Sequence, residues 1–286
     1  ALSVRTWIEE QNIMCAPGYA HLPSSLLAYV LDLTRIDPLH YGLYFERFYN
    51  TNVGNKPFIT FVIPPDYISY CDSFIKSLKI TSGIKCLGCE CIKPLKKSIC
   101  LLHQVQTIKE TVLQTLKQGR TQGMEPEHKS TWISLLKAAE PNTVDELINI
   151  WSLSRPGLDI FIPLYLNRME SKDNIDYLHP DLFSIFTSTL GLCLFQEQII
   201  ETLSTVCGIT PAKAEWMRRI LGKKRYPATE KIKKELIGVF RNRGYSIKEA
   251  MTVFNFTYKH AGIAYCKAHA ASEAHLHYES ALSLGV

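Results

Sequence analysis

Residues 213–243 read KAEWMRRILGKKRYPATEKIKKELIGVFRNR. Eleven of them are Lys or Arg (Lys213, Arg218, Arg219, Lys223, Lys224, Arg225, Lys231, Lys233, Lys234, Arg241 and Arg243), against three acids (Glu215, Glu230 and Glu235). The stretch therefore carries +8, while the whole chain carries only +5, so the remainder is net acidic. Positive charge concentrated in this way is the electrostatic footprint of a polyanion site. The expectation is that the stretch faces phosphates. The alternative is a solvated helix face, but the acids that normally intersperse such a face are mostly missing. The framework here is helical. Thr210-Pro211 reads as an N-cap with Pro in the first turn, Gly222 ends that helix as Lys223-Lys224 begin, and a second helix is predicted over Glu230 to Arg243.

Downstream, Ile247 to Tyr258 predicts another helix. The last runs from His269 to Leu284, and Ala268, Ala270, Ala271, Ala274 and Ala281 suit it to close packing. Upstream, Leu190 to Val206 has apolar residues at helical spacing, and a loop with His179-Pro180 precedes Leu182 to Ser188. Thr143 with Glu146 three residues on resembles a capping box. Thr131 to Ala138 predicts a helix, and the polar segment Gln118 to Lys129 is the best candidate boundary.

Before that boundary the pattern is mixed. Helices are expected at Val4 to Gln11, at Leu26 to Leu33 behind Ser24-Ser25, at Tyr41 to Phe48, at Ile68 to Leu78 and at Thr107 to Lys117. Asp37-Pro38 breaks the second of these. Ile13 to Cys15 is read as a strand, followed by the turn Ala16-Pro17-Gly18-Tyr19. Phe58 to Ile63 (FITFVI) lies between Lys56-Pro57 and Pro64-Pro65, the profile of a buried strand. The fold class expected is α+β and mostly helical. A small sheet-bearing subdomain over 1–120 precedes a helical subdomain over 121–286.

A chain of 286 residues, 46% hydrophobic and 21% charged, can bury a full core. No apolar run is long enough to span a membrane, and no membrane partner is expected. The first residues form an amphipathic helix in place of a signal peptide. Beginning on Ala1, the chain is read as a fragment or a processed product. Nine cysteines make no even framework, and they are read as reduced thiols of a cytoplasmic protein. Cys86-x-x-Cys89 has zinc-knuckle spacing, and Cys100 with His103 could supply two further ligands. No second Cys-x-x-Cys exists, so free thiols are the preferred reading. Nucleotide-binding glycine motifs, His-Glu-x-x-His and Gly-x-Ser-x-Gly are absent from the sequence.

Around the basic stretch, Arg218, Arg219, Lys223 and Lys224 could converge on one triphosphate or backbone segment. Lys267 and His269 stand near a helix N-terminus, where both could reach an anion. The alternative for His269 is a packed histidine. Arg155 stands before Pro156-Gly157; its alternative is a buried arginine stapling two helices.

Several segments together resemble one family, the alpha subunit of bacterial DNA polymerase III, the C-family replicative polymerases. IDPLHYGLYFERFYN (36–50) resembles the family's IDPLKYGLLFERFLN. Ser154 to Gly157, Leu178 to Pro180, Gly191 to Ile199, Met217 to Lys224 (MRRILGKK) and Ala264 to Ala271 (AYCKAHAA) resemble further family segments in the same order. The resemblance covers roughly residues 5 to 282. It implies a palm-like subdomain followed by a fingers-like one. It also implies that Arg218, Arg219, Lys223, Lys224, Lys267, His269 and Arg155 face nucleotide and template.

The departures bear on activity. The family's palm motif PDIDIDF carries carboxylates for two metal ions, and here its aspartate positions fall on Phe58, Thr60 and Val62. The upstream glycine-rich turn has lost its arginine, and Glu90 is the remnant nearest a third carboxylate. Without anionic ligands the divalent ions are not held. The favoured reading is a degenerate module that binds the primer–template DNA backbone, or a dNTP, without catalysis. No cofactor is expected, or Mg²⁺ if polymerase activity remains. The first alternative is an active polymerase with displaced carboxylates such as Asp66, Asp72 or Glu90. The second is a structural protein, with zinc at the cysteine cluster. Protein partners supplying missing polymerase parts and a cytoplasmic, nucleoid-associated location complete the expectation.

Overall fold

The fold is taken from a computed structural model, described at residues 1–54, 57–79, 84–88, 108, 110–119, 126–171, 175 and 177–284. Among these residues helix dominates, and no helix is long and apolar enough to cross a membrane. In chain order the helices are α1 (Leu2–Glu10), α2 (Leu26–Val30), α3 (Phe45–Phe48), α4 (Ile68–Ser77), α5 (Glu110–Lys117), α6 (Pro126–Ala139), α7 (Val144–Leu153), α8 (Ile162–Glu170), α9 (Phe183–Phe186), α10 (Gln196–Cys207), α11 (Pro211–Gly222), α12 (Ala228–Asn242), α13 (Ile247–His260) and α14 (Lys267–Leu284). The strands are β1 (Ile59–Ile63) and β2 (Ile84–Gly88).

The chain forms two compact units. One comprises 1–49, 55–154 and 267–286, the other 50–54 and 155–266. The division expected at residue 120 is therefore not the one that packing draws. Helices α6 and α7 belong with the N-terminal residues, and so does the last helix of the chain, because α14 packs on α5 and α7.

In the first unit β1 and β2 pair in parallel, Phe61 opposite Cys86 and Ile63 opposite Gly88. Parallel strands need a crossover, and α4 lies within it. β1 is buried from Thr60 to Ile63, as its continuous apolar run predicts. Phe61 and Ile63 face one way and join Val4, Ile8, Cys71 and Ile75 of α1 and α4. Trp7 stacks on Phe74 with ring centroids 4.8 Å apart. Val62 faces the other way, against Ala16 and Leu276 of α14. Ile13 to Cys15 is not a strand. It meets β1 where the Ala16 N–H donates to the Val62 carbonyl at 2.9 Å.

Helix α14 is mostly buried: Ala268, Ala270, Ala271, Ala274 and Ala281 have no solvent exposure, while Lys267, His269 and Glu273 are half-buried. A helix buried over most of its surface is a core helix, and its alanines let neighbouring backbones approach. Its polar residues are met from within the unit. Arg35 donates to Glu279 at 2.9 Å and to the Cys15 carbonyl at 3.2 Å, and the Tyr41 hydroxyl lies 2.6 Å from His275 Nε2. Burial pushes the Glu279 carboxyl above its usual range, and Arg35 pulls it back. His277 packs beside Trp151 and Trp132 at centroid distances of 4.8 and 6.1 Å.

In the second unit α10 packs on α11 and α12 on α13. Gln198 ties the entrance of α10. Its Oε1 accepts from the Leu194 and Phe195 N–H groups, both at 2.9 Å, and its Nε2 donates to Thr189 Oγ1 at 2.7 Å and the Ile185 carbonyl at 3.0 Å. Leu190 and Gly191 turn left-handed before it, so the helix starts at Gln196 and not at Leu190. The capping boxes at Thr143 and Ser246 and the Thr210 cap are present. Tyr41 to Tyr44 precede α3 outside any helix, which shortens the segment expected there.

Cys15, Cys193, Cys207 and Cys266 are free and buried. Cys71 is disulfide-bonded, which corrects the reading of reduced thiols at that residue. Burial pushes the Cys207 thiol up to about 12, so it is not a nucleophile at neutral pH.

Removing one partner of a buried ion pair leaves the other charge uncompensated. Arg35→Met should cost about 3–5 kcal/mol in urea unfolding, and adding Glu279→Leu should recover most of it. A second test concerns His277, held by burial at a pKa of about 4. Between that value and the unfolded pKa of about 6.5 the unfolded chain binds more protons, so stability falls as pH drops through this window. Thermal melts of His277→Phe should show a flatter loss from pH 6.5 to 4 than the parent chain. His260, also held low by burial, leaves some acid sensitivity in place.

Candidate nucleic-acid interface

The basic stretch resolves into two kinds of cation. Arg218, on the buried side of α11, is 7% exposed. Its Nε and Nη2 donate to the two Glu215 oxygens at 2.7 and 3.2 Å, and its Nη1 donates to the Ala261 carbonyl at 3.3 Å. Arg219 Nε donates to the same carboxylate at 2.6 Å, and its side chain is 27% exposed. Glu215 has no exposure. A buried carboxylate shared by two guanidinium groups is a scaffold that fixes the α11 surface. Arg218 is thus committed inside the unit, contrary to the expectation that it faces phosphate. The sequence held the signal for this pairing, because Glu215 stands three and four residues before the two arginines.

Lys223, Lys224 and Arg225 follow at the end of α11, and all three are exposed. Lys223 caps the helix and Lys224 turns left-handed at φ +49. Lys224 Nζ lies 5.8 Å from the Tyr258 ring centroid, within cation–π reach. None of the three forms an ion pair among the described residues. The turn is anchored beneath by Gly222: a Cβ there would lie 2.7 Å from the Ala261 carbonyl oxygen. Backbone contact at Gly222 and the Arg218 bond to Ala261 therefore hold the same point. Farther along, Lys231 and Lys234 of α12 and Arg241 and Arg243 at its end are exposed, while Lys213 pairs with Glu235 at 2.5 Å.

Arg155, half-buried, places its guanidinium carbon 5.3 Å from the Tyr265 ring centroid in this same unit. Lys267 and His269 belong to the other unit, in the first turn of α14. His269 meets the Tyr19 ring edge-on at 5.2 Å, with Nδ1 3.8 Å from Glu273. The Pro17-Gly18 turn beside them is tightly packed. Thr34 donates to the Pro17 carbonyl at 2.7 Å, and a Cβ on Gly18 would lie 2.8 Å from Ser272 Oγ.

Of the three positions expected to have lost aspartates, Thr60 and Val62 share one face of β1 and Phe58 immediately precedes the strand. Phe58 is 52% exposed, Thr60 and Val62 are buried, and Val62 packs on Leu276. They offer one hydroxyl and no carboxylate, which does not fit a pair of divalent ions. Asp66 is exposed and Asp72 half-buried. Among the described residues no group of three or more His, Cys, Asp or Glu could hold a metal. Glu90, Cys89, Cys100 and His103 lie outside the described residues, as does the Cys86 side chain.

Residues 88–244 match the family described as bacterial DNA polymerase III alpha subunit finger domain, and residues 3–60 match the bacterial DNA polymerase III alpha NTPase domain. Proteins named DNA polymerase III subunit alpha are similar to this chain. That of Staphylococcus epidermidis is 30% identical over 190 residues, 65% of this chain and 18% of the relative. That of Halalkalibacterium halodurans is 30% identical over 166 residues, 58% of this chain and 15% of the relative. That of Borreliella burgdorferi is 29% identical, over 58% and 14%. The chain spans less than a fifth of the length of these curated relatives.

Gly222→Ala should destabilise the second unit by about 1–3 kcal/mol in urea unfolding, because the opposing atom is backbone and cannot rotate away.

Proposed function

The chain belongs to the bacterial DNA polymerase III alpha subunit family, and on that premise we propose that it is a replication module that binds DNA or nucleotide phosphates without catalysing nucleotidyl transfer. The observation that carries the reading is the exposed run Lys223, Lys224 and Arg225, free of carboxylate partners among the described residues and set on a rigid helix end. Phosphate contacts of this kind position a strand without reading its sequence. Arg219 adds a half-exposed cation beside the run, and Arg218 with Glu215 holds α11 in place. Arg155, Lys267 and His269 are proposed as further phosphate contacts by family resemblance.

Loss of catalysis rests on β1 and the residue before it, where Phe58, Thr60 and Val62 stand at the positions that the resemblance gives to the family's aspartates. The donor set is wrong for two-metal chemistry. Its setting is proposed to be cytoplasmic, with protein partners of replication.

Primer extension with Mg²⁺ and then Mn²⁺, run beside gel-shift binding of the same primer–template, tests both halves. Binding without extension is the expected result. Extension abolished by Asp66→Asn would overturn the loss of catalysis. The Lys223→Ala/Lys224→Ala chain should bind more weakly, with its log–log salt slope reduced by roughly 1.4–1.8, about 0.7–0.9 per phosphate contact. Unchanged affinity and slope would sink the binding site.

A further inference from the structure

We infer that Tyr226 is a stacking platform for an unpaired base, so that the turn between α11 and α12 takes single-stranded nucleic acid in preference to duplex. The inference rests on the phosphate-binding reading of Lys223 to Arg225 and adds the kind of strand bound.

The turn is Lys223 to Pro227, and every residue in it is exposed. Cations at this place have an ordinary explanation: the C-terminal end of α11 carries partial negative charge, which lysines offset. Tyr226 has no such explanation. It is 80% exposed, more than any other large apolar or aromatic side chain among the described residues. It stacks on no other ring among them. Folding therefore gains little from this ring, while a nucleobase would gain a π-face.

The turn also sets the ring among phosphate-binding groups. Tyr226 directly follows Arg225 and stands two residues from Lys224, so their Cα atoms are at most about 7.6 Å apart. A base lying on the ring would keep its flanking phosphates within reach of those side chains. Cations with an interleaved aromatic are the arrangement that holds single strands without regard to sequence, each stacked base contributing about 1–3 kcal/mol. In a duplex both faces of an internal base are already stacked, so Tyr226 has nothing to receive. Tyr70 is also 68% exposed, but it stands on α4 with no run of cations next to it in sequence.

The test is fluorescence anisotropy with a labelled oligothymidylate, a blunt duplex of equal length and an abasic oligomer of equal charge, across a range of salt. Tyr226→Ala should weaken oligothymidylate binding about 5- to 140-fold, which is the stacking contribution above converted at tenfold per 1.4 kcal/mol. Duplex and abasic binding should stay within twofold, and the salt slope should not move, since no charge is removed. Tyr226→Phe should bind as the parent chain does. The inference fails if Tyr226→Ala leaves oligothymidylate affinity within twofold, or weakens all three probes alike. Lys223→Ala/Lys224→Ala reports separately on the phosphate site. If that variant alone loses affinity, the phosphate reading stands and the stacking role falls; if the parent chain binds none of the probes, both fall. Tyr226 is exposed, so its variants should melt with the parent chain, and coincident circular-dichroism melts secure the comparison.

Discussion

A charge on the buried part of a helix is cut off from water and needs a partner within the fold. That constraint governs α14. Glu279 is placed where the solvation of a carboxylate is lost, and Arg35 replaces it while also holding the Cys15 carbonyl. One guanidinium thereby connects α14 to the segment that bonds to β1 through Ala16. His275 meets the hydroxyl of Tyr41 from the 36–50 segment. Leu276 closes over Val62. The first unit can recruit residues from both ends of the chain because these long-range contacts gather on one small-residue helix.

The second unit solves the same problem in the same way, with two arginines in place of one. Glu215 is the buried group, and Arg218 and Arg219 grip it. The cost of desolvating three charges is offset by charge-assisted hydrogen bonds of good geometry. The arrangement spends two of the cations in the basic stretch on architecture. It also fixes the helix end from which Lys223, Lys224 and Arg225 project. Exposed charge and structural charge are therefore neighbours in sequence yet differ in solvent access.

The strand β1 is explained by packing alone. Its burial requires only that Phe61 and Ile63 fill one side and that the other side be covered. Val62 meets that requirement better than a carboxylate, which would face Leu276 and Ala16 with no partner to neutralise it. The Pro17-Gly18 turn is held in the same way, by packing against Thr34 and Ser272.

Much of this was legible in the residues themselves. Local rules mark helix starts, so Thr143 with Glu146, Ser246 with Glu249 and Thr210-Pro211 predict or explain their caps directly. A short apolar run between prolines is a buried strand, and β1 is one. The concentration of Lys and Arg over 213–243 is a matter of counting. The tertiary structure alone decided which of those cations remain available, because Arg218 and Lys223 are alike in charge and differ only in what packs against them. It also decided that the C-terminal helix joins the N-terminal unit, and that Ile13 to Cys15 is not a strand, with the bond to β1 made by Ala16. Charge, caps and apolar runs act over a few residues and can be read in order. Burial and pairing depend on partners far away in the chain, such as Arg35 for Glu279 and Ala261 for Gly222, and only the folded molecule brings them together.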